Sequence, residues 1–226
     1  MNADRHSPSA AEVLADSPEA WQVAHHEVLA RGRVCHFVED ELVPPTGGPA
    51  FRRQFISHPG AVGIIAVDDQ DRVAVVRQYR HPVGLKLVEP PAGLLDVEGE
   101  DFLRAAQREL AEEVQLQAGT WRLLVDVCTS PGGSEESARV FLATDLSEAP
   151  HPDGFAPEDE EADMEAAWVP FEDLVDGILA GRLQSPLLVS GIMALAAARA
   201  TGRLDSLRQP DAPWPVREIH AGRPRD

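Results

Sequence analysis

The sequence GLLDVEGEDFLRAAQRELAEEVQL, residues 93–116, concentrates negative charge on one side of a predicted helix. At about 100° per residue, Glu112 lies about 60° to one side of Glu109 and Glu113 about 40° to the other, so the three carboxylates share one face. An apolar stripe runs beside them and consists of Leu103, Leu110 and Val114. The helix can therefore pack into a core along one edge and present carboxylate oxygens along the other.

This acidic face has a cost that a cation would offset. Like charges three or four positions apart destabilise a helix by roughly 0.2–0.5 kcal/mol per pair, and no lysine is interleaved here. Mg²⁺ would relieve the repulsion, because it binds one or two carboxylates together with water and phosphate oxygens. Taken alone, such a cluster is more often a solvated face of an acidic protein, so the flanking residues decide between the two interpretations.

The residues around the cluster resemble the Nudix box, G-x5-E-x7-R-E-U-x-E-E-x-G-U, in which U is aliphatic. The matching positions are Glu100, Arg108, Glu109, Leu110, Glu112, Glu113 and Leu116. Two positions depart from the pattern: six residues rather than five follow Gly93 before the first glutamate, and Gln115 replaces the second glycine. The extra residue falls in a predicted loop, where insertions are tolerated. A glycine at the second position would typically end the helix in a left-handed conformation.

Composition and charge limit the possible partners. The 226 residues carry a net charge of −18, which argues against binding to nucleic acid or to an anionic membrane. With no run of 18 apolar residues and no signal-peptide core at the N-terminus, we expect a soluble cytoplasmic protein. Cys35 and Cys128 form no CxxC motif and are expected to be reduced and buried, although the sequence leaves a disulfide open.

Sequence patterns predict an α/β fold. Alternation and apolar runs predict strands at residues 21–43 (as a hairpin or two strands), 51–56, 61–67, 72–79, 86–89, 121–127, 137–143 and 164–169. We expect 72–79 to pair beside 61–67. Helices are predicted in the box, at 171–180, and at 185–200 with Ser185 as its cap and Gly202 as its stop. The tail from Pro210 is expected to be poorly ordered unless Trp214 packs.

The resemblance implies the same architecture, an α/β/α sandwich with a mixed β-sheet and an additional N-terminal β segment. It covers roughly residues 50–200. The expected organisation is a flexible arm (1–19), a β segment able to form a dimer (20–50), the Nudix domain (51–205) and a Pro-rich tail (206–226). In the implied homodimer the N-terminal segments reach across to the partner.

Features outside the box resemble the ADP-ribose pyrophosphatase branch of the family. Pro131, expected to help bind substrate, lies fifteen residues after Leu116 in a Ser-Pro-Gly loop. Residues 77–82, RQYRHP, and 89–94, EPPAGL, resemble the branch pattern QYRxP…ExPAG. Further matches are the approach strand at 51–62 and the acidic loop at 160–164. The resemblance implies Mg²⁺-dependent hydrolysis of the diphosphate bond of ADP-ribose to AMP and ribose 5-phosphate.

The resemblance also implies a metal site. Glu109 and Glu113 would be direct ligands of Mg²⁺, or of Mn²⁺ in its place. Glu112 would be either a ligand or a contact through water, and the backbone carbonyl of Ala92 would be the ligand that is not an acid. Arg108, with Glu100 in the same network, would orient the glutamates through charge-assisted hydrogen bonds.

Further residues are implied for substrate binding and proton transfer. Arg80 is expected to contact a substrate phosphate, because a guanidinium fork matches phosphate oxygens. Arg53 is a second candidate, made less certain by Arg52 beside it, and each arginine could instead form a surface salt bridge. Glu160 and Glu161 compete as the general base that removes a proton from the attacking water.

Two other functions stay open. The first is a Nudix hydrolase of another nucleoside diphosphate sugar or of a dinucleotide such as NADH. The second is a catalytically silent domain that binds ADP-ribose as a regulator. The complete set of glutamates argues against the regulator, as does the absence of a basic terminus for DNA.

Overall fold

The centre of the computed structural model, which describes residues 14–151 and 163–221, is a four-stranded mixed sheet. The strands of the described residues are β1 Gln22–Arg31, β2 His36–Val43, β3 Phe51–Ser57, β4 Ala61–Ala66, β5 Arg72–Arg80, β6 Leu85–Glu89, β7 Ala92–Leu94, β8 Leu116–Cys128, β9 Ser137–Glu148 and β10 Glu165–Pro170. The helices are α1 Phe102–Val114, α2 Phe171–Leu179, α3 Pro186–Ala200 and α4 Pro215–Ala221. The central sheet has the order β7-β4-β9-β8, with β4 and β9 parallel.

Helices cover both faces of this sheet. Successive side chains of the buried strand β4 point to opposite faces, so they enter two different hydrophobic cores. Val62 and Ile64 belong to the cluster that includes Leu110 of α1. Ile65 belongs to the cluster that includes Ile192 of α3. All five side chains are at most 1% exposed. The prediction of an α/β/α sandwich with a mixed sheet is confirmed.

Local capping sets the ends of α1. The carboxylate of Asp101 accepts hydrogen bonds from the backbone N–H groups of Leu103, at 2.9 Å, and Arg104, at 3.4 Å. At the other end, Gln115 adopts the left-handed conformation with φ 54° and ψ 42°. The residue that replaces the box glycine therefore still ends the helix as the glycine would, at the steric cost of a side chain in this region.

One predicted pairing is wrong. Strand β5 does not lie along β4; it forms a separate antiparallel sheet of order β10-β5-β6, and a single bridge between Val67 and Val73 links the two strands. The turn at residues 68–71 directs the chain into this second sheet. Asp68 accepts hydrogen bonds from the backbone N–H groups of Gln70 and Arg72, which fixes that turn.

The N-terminal hairpin is confirmed as β1 and β2, which pair antiparallel, and β3 completes a third sheet of order β1-β2-β3. Both cysteines are free, but the prediction of burial is wrong for Cys128, which is exposed at the end of β8, whereas Cys35 is partly buried. In the described ranges 14–151 and 163–221, none of the helices is long and apolar enough to cross a membrane.

The described C-terminal residues pack against the domain and end in helix α4. Helix α3 begins after Ser185 with Pro186 in its first turn, although the Ser185 side chain makes no capping hydrogen bond. It ends at Ala200, before Gly202 with φ 65°. Beyond it, Trp214 is 3% exposed and precedes α4. The tail is therefore held by Trp214. The sequence predicted an ordered tail only if this tryptophan packs, and it does.

Candidate active site

Helix α1 lies against β7, which brings two of its carboxylates to the strand backbone. The side chain of Glu113 accepts a hydrogen bond from the backbone N–H of Ala92 at 3.0 Å. A Cβ atom on Gly93 would overlap the carboxylate of Glu109. Gly93 is thus required because the Glu109 side chain occupies the space where any other residue would place its first carbon.

Two carboxylates of the helix and one that precedes it gather around Arg108. Arg108 binds Glu100 through two hydrogen bonds, of 3.1 and 3.0 Å, and its Nη1 reaches Glu109 at 2.7 Å and Glu112 at 3.0 Å. Hydrogen bonding to Glu100, together with the charges of these carboxylates, raises the pKa of Arg108 above its ordinary value despite partial burial. The guanidinium therefore stays charged and is hydrogen-bonded to three carboxylates; that it orients them for a metal remains a prediction.

The three box glutamates, Glu109, Glu112 and Glu113, together with the backbone of Ala92, fit a hard divalent cation by their chemistry. All their donor atoms are oxygens, which Mg²⁺ prefers. The glycine at position 93 leaves room for Glu109 beside the strand. Within the described part of the chain, no three His, Cys, Asp or Glu side chains form a complete metal-ligand group. The carboxylates engage Arg108 and the Ala92 amide, so metal binding would require rearrangement of these side chains.

Arg80 lies at the end of β5 and is held by a carboxylate. Its Nε and Nη2 atoms each lie 2.8 Å from Oε2 of Glu89. The Glu89 side chain is 11% exposed and that of Arg80 is 45% exposed. Glu89 directly precedes the Pro90-Pro91-Ala92 turn that leads to the box. This salt bridge fixes a guanidinium at the strand end while leaving much of it accessible to solvent.

A separate cavity of about 820 Å³ has Arg53 and Pro131 in its lining. Neighbouring side chains of β3 point to opposite faces of the sheet, so Arg52 instead binds Glu39, at 2.8 Å. The guanidinium of Arg53 lies 5.1 Å from the centre of the Phe51 ring. The structure thereby places Arg53 rather than Arg52 at the cavity, which the sequence alone left undecided.

Comparison with known proteins decides the family. The model of the NUDIX domain matches residues 57–187, more than half of the chain. The chain belongs to the Nudix family. It is 43% identical to an ADP-ribose pyrophosphatase of Mycobacterium tuberculosis over 78% of this chain and 84% of that one. It is 36% identical to a methanol dehydrogenase activator of Bacillus methanolicus over 61% of this chain and 73% of that one.

The Nudix fold is also found among solved structures. A crystal structure titled as an ADP compounds hydrolase superposes with a TM-score of 0.65 at 22% identity, and covers 84% of this chain and all of that one (100%). This confirms the fold predicted from the box and from strand alternation. At this identity the structural likeness concerns the fold alone.

The Nudix site residues predicted from sequence fall into separate groups. The box glutamates, Arg108 and Ala92 are brought together, and Arg53 and Pro131 share the cavity. In the described residues, the cavity lining includes neither Arg80 nor any box glutamate. Both predicted bases, Glu160 and Glu161, lie outside the described residues.

Two acidic residues near these groups were not predicted from the sequence. Glu89 holds Arg80, and its place in the branch-like EPPAG run was the available signal. Glu135, 9% exposed, lies in the cavity wall and accepts a hydrogen bond from the Ser57 hydroxyl at 2.6 Å. Its position four residues after Pro131 could have pointed to it, but no spacing rule links that loop to a serine at the end of β3.

Proposed function

We propose that this chain hydrolyses the diphosphate bond of ADP-ribose to AMP and ribose 5-phosphate. The observation that carries the proposal is the convergence of the three box glutamates on Arg108 and β7. Carboxylates held on one helix face suit cation-assisted attack of water on phosphorus. The name of the M. tuberculosis relative supports the choice of ADP-ribose as substrate.

Nudix hydrolases generally use divalent metal ions, and we propose Mg²⁺, with Mn²⁺ as a substitute. Glu109, Glu113, Glu112 and the carbonyl of Ala92 would hold it. When bound, the cation supplies positive charge next to the diphosphate and makes the attacking water more acidic. Arg108 keeps the glutamates in place, because its bonds to Glu100 anchor it from outside the helix.

The remaining residues of the proposal bind substrate and transfer a proton. Arg80 binds a phosphate with its exposed guanidinium edge, oriented by Glu89. Arg53 and Pro131 bind the rest of the substrate, supported by a cavity whose size is within the range of about 300–1,000 Å³ usual for ligand sites. Glu160 or Glu161 takes the proton from the attacking water.

We also propose a cytoplasmic homodimer formed through the N-terminal sheet. Strand β1 is exposed along almost its whole length, and the side chains of Trp21, Val23, Leu29 and Phe37 on or beside this sheet are 38–45% exposed. An edge strand with exposed apolar side chains favours pairing with another chain. A mass of 24.5 kDa by light scattering at working concentration would contradict the dimer.

A substrate panel with Mg²⁺ tests the reaction. Release of AMP would be followed from ADP-ribose, ADP-glucose, NADH and diadenosine polyphosphates, each with and without chelator. We expect turnover of ADP-ribose that exceeds all others and stops with chelator. Turnover of a different diphosphate would replace the substrate while keeping the mechanism. Binding of ADP-ribose with no turnover of any compound would favour the regulatory alternative.

A further inference from the structure

The C-terminal strap, which we define as residues 207–221, returns to the beginning of the Nudix helix. Near its start the backbone N–H of Leu123 donates to the carbonyl of Arg208 at 3.0 Å, in a single bridge to β8. The strap then buries Trp214, which is 3% exposed. The indole meets the Phe102 ring edge-to-face, with ring centres 5.0 Å apart. Phe102 is the first residue of α1.

A buried arginine ties the strap to the sheet beneath α1. Arg139, 1% exposed, binds both carboxylate oxygens of Asp126 at 2.7 and 3.1 Å. Its other N–H groups donate to two strap carbonyls, those of Ala212 at 2.8 Å and Pro213 at 3.1 Å. The guanidinium also lies 4.7 Å from the centre of the Trp214 ring. Arg139 therefore fixes the strap backbone at the point where Trp214 meets the helix.

The anchored end of the helix leads directly to the acidic network. Asp101, the cap, precedes Phe102, and Glu100 precedes the cap. The carboxylate of Glu100 accepts both hydrogen bonds that anchor Arg108 from outside the helix. A displacement of Phe102 would move this anchor relative to β7, against which Glu113 and Glu109 are placed.

We propose that Trp214 is a positioning residue for the reaction: by holding Phe102 it sets the place of α1 on β7, and thereby the geometry in which the box glutamates meet a divalent cation. The turnover measurement that tests this inference rests on the proposed function, whereas the metal-binding measurement does not. The inference gives a functional role to a segment that lies outside residues 57–187, the part of the chain that matches the NUDIX domain.

The competing explanation is that Trp214 only contributes to the hydrophobic core. A matched control separates the two. Phe171 is equally buried at 3% exposure, and its ring lies 4.1 Å from the guanidinium carbon of Arg199. It belongs to the core on the opposite face of the sheet, with α2 and α3, and has no place in the cluster around α1.

The experiment compares Trp214→Ala, Trp214→Phe and Phe171→Ala in the full chain. Mn²⁺ binding would be titrated by calorimetry, and turnover of ADP-ribose measured against Mg²⁺ concentration, both well below each unfolding temperature. We expect Trp214→Ala to weaken Mn²⁺ binding about ten-fold and to lower kcat about ten-fold or more, the range typical for residues that orient ligands. The KM for ADP-ribose should change less than kcat, because the strap reaches the cavity through Ile219 and His220 and not through Trp214.

The other two variants provide rescue and control. Trp214→Phe should restore most of the metal affinity, because the indole N–H has no hydrogen-bond partner among the described residues and only the aromatic contact is needed. Phe171→Ala should lose comparable stability while keeping the metal affinity of the original chain. Should Trp214→Ala fail to fold, Phe102→Leu weakens the same contact more gently and is expected to raise the half-saturating Mn²⁺ concentration in the same direction.

Equal Mn²⁺ affinity in the original chain, Trp214→Ala and Phe102→Leu would overturn the inference. An equal loss of affinity in Phe171→Ala would also overturn it, since general destabilisation would then suffice. If the original chain hydrolyses none of the panel compounds, the proposed function fails on its own. The Mn²⁺ titration still decides whether Trp214 positions the helix.

Discussion

Two arginine–carboxylate clusters adjoin helix α1, and they differ in exposure and in charge balance. In the box cluster the side chain of Arg108 is 31% exposed and serves three carboxylates, with Glu113 close by on the same face. In the strap cluster the side chain of Arg139 is 1% exposed, and its partner Asp126 also receives Arg208 at 2.9 Å. The box cluster contains more carboxylates than arginines, whereas the strap cluster does not.

This difference distinguishes a chemical role from a structural one. A buried charge must be fully paired, since an uncompensated one costs several kcal/mol. Arg139 meets that demand with a carboxylate and two carbonyls. The box cluster has more carboxylates than arginines near solvent, and a divalent cation, if bound as proposed, would relieve their mutual repulsion. Under the proposed function the box cluster is therefore the chemical site, and the paired Arg139 and Asp126 are structural support.

The largest expected effect is on turnover when one box carboxylate is removed. Glu113→Gln should lower turnover of ADP-ribose by on the order of 10³-fold, because it removes a carboxylate proposed to hold the divalent cation that stabilises charge in the transition state, while the fold is kept. AMP release in Mg²⁺ and the unfolding midpoint would be measured together. Glu98→Gln, the same change at an exposed loop position, serves as control. Near-normal turnover in Glu113→Gln would remove Glu113 from the metal site.

The next effect is on stability when the strap cluster is broken. Arg139→Gln should lower the free energy of unfolding by about 3 kcal/mol, the lower end of the cost of breaking a buried pair, because Arg208 still pairs with Asp126. Urea unfolding would measure it. Arg208→Gln removes the more exposed partner of the same carboxylate and should cost less than about 1 kcal/mol. An equal loss of unfolding free energy in Arg139→Gln and Arg208→Gln would contradict the idea that burial makes the first change more costly.

The matching change in the box cluster should act mainly on activity. Arg108→Gln is expected to lower turnover about 10–100-fold, the usual effect of losing a residue that orients ligands. Its cost in stability should stay near 1 kcal/mol, because the side chain is partly exposed. Arg104→Gln, at an exposed position of the same helix, should leave both unchanged. A larger stability loss than in Arg139→Gln would erase the distinction between the clusters.

The smallest effect concerns the end of α1 and leaves both clusters intact. Gln115→Gly should raise the free energy of unfolding by about 0.5–1 kcal/mol, because Gln115 occupies the left-handed region that glycine adopts without steric cost. The urea midpoint should rise with an unchanged slope. The same change at Gln117, within β8, should be destabilising. A loss of stability in Gln115→Gly would show that its side chain makes a compensating contact.

Much of the local structure was predictable from sequence. The helical wheel placed the box glutamates on one face and Leu110 in the core, and the structure confirms Leu110 as fully buried, at 0% exposure. Alternation and apolar runs located the strands of the described sheets to within several residues, except β7, a three-residue strand that was not predicted. These features depend on residues three or four apart in a helix or two apart in a strand, so a short window contains the information.

Pairings between distant segments required the tertiary structure. The predicted neighbour of β4 was wrong, because nothing within 72–79 specifies β10 and β6 as partners rather than the preceding strand. The choice between Arg52 and Arg53 likewise depended on which face of β3 meets the cavity. The partners of Glu135 and Glu89, the Ser57 hydroxyl and the Arg80 guanidinium, became known only from the folded structure.

The sequence by itself determined the family, the acidic face of α1 and the carboxylates proposed to hold a cation, because these follow from residue type and short-range periodicity. Only the tertiary structure decided that the helix rests on Gly93, that Arg108 gathers its carboxylates, and that the tail anchors its first turn. Arg139 and the carbonyl of Ala212 lie 73 positions apart in the chain. A contact across such a distance depends on how the whole sheet and its helices pack, which no local pattern encodes.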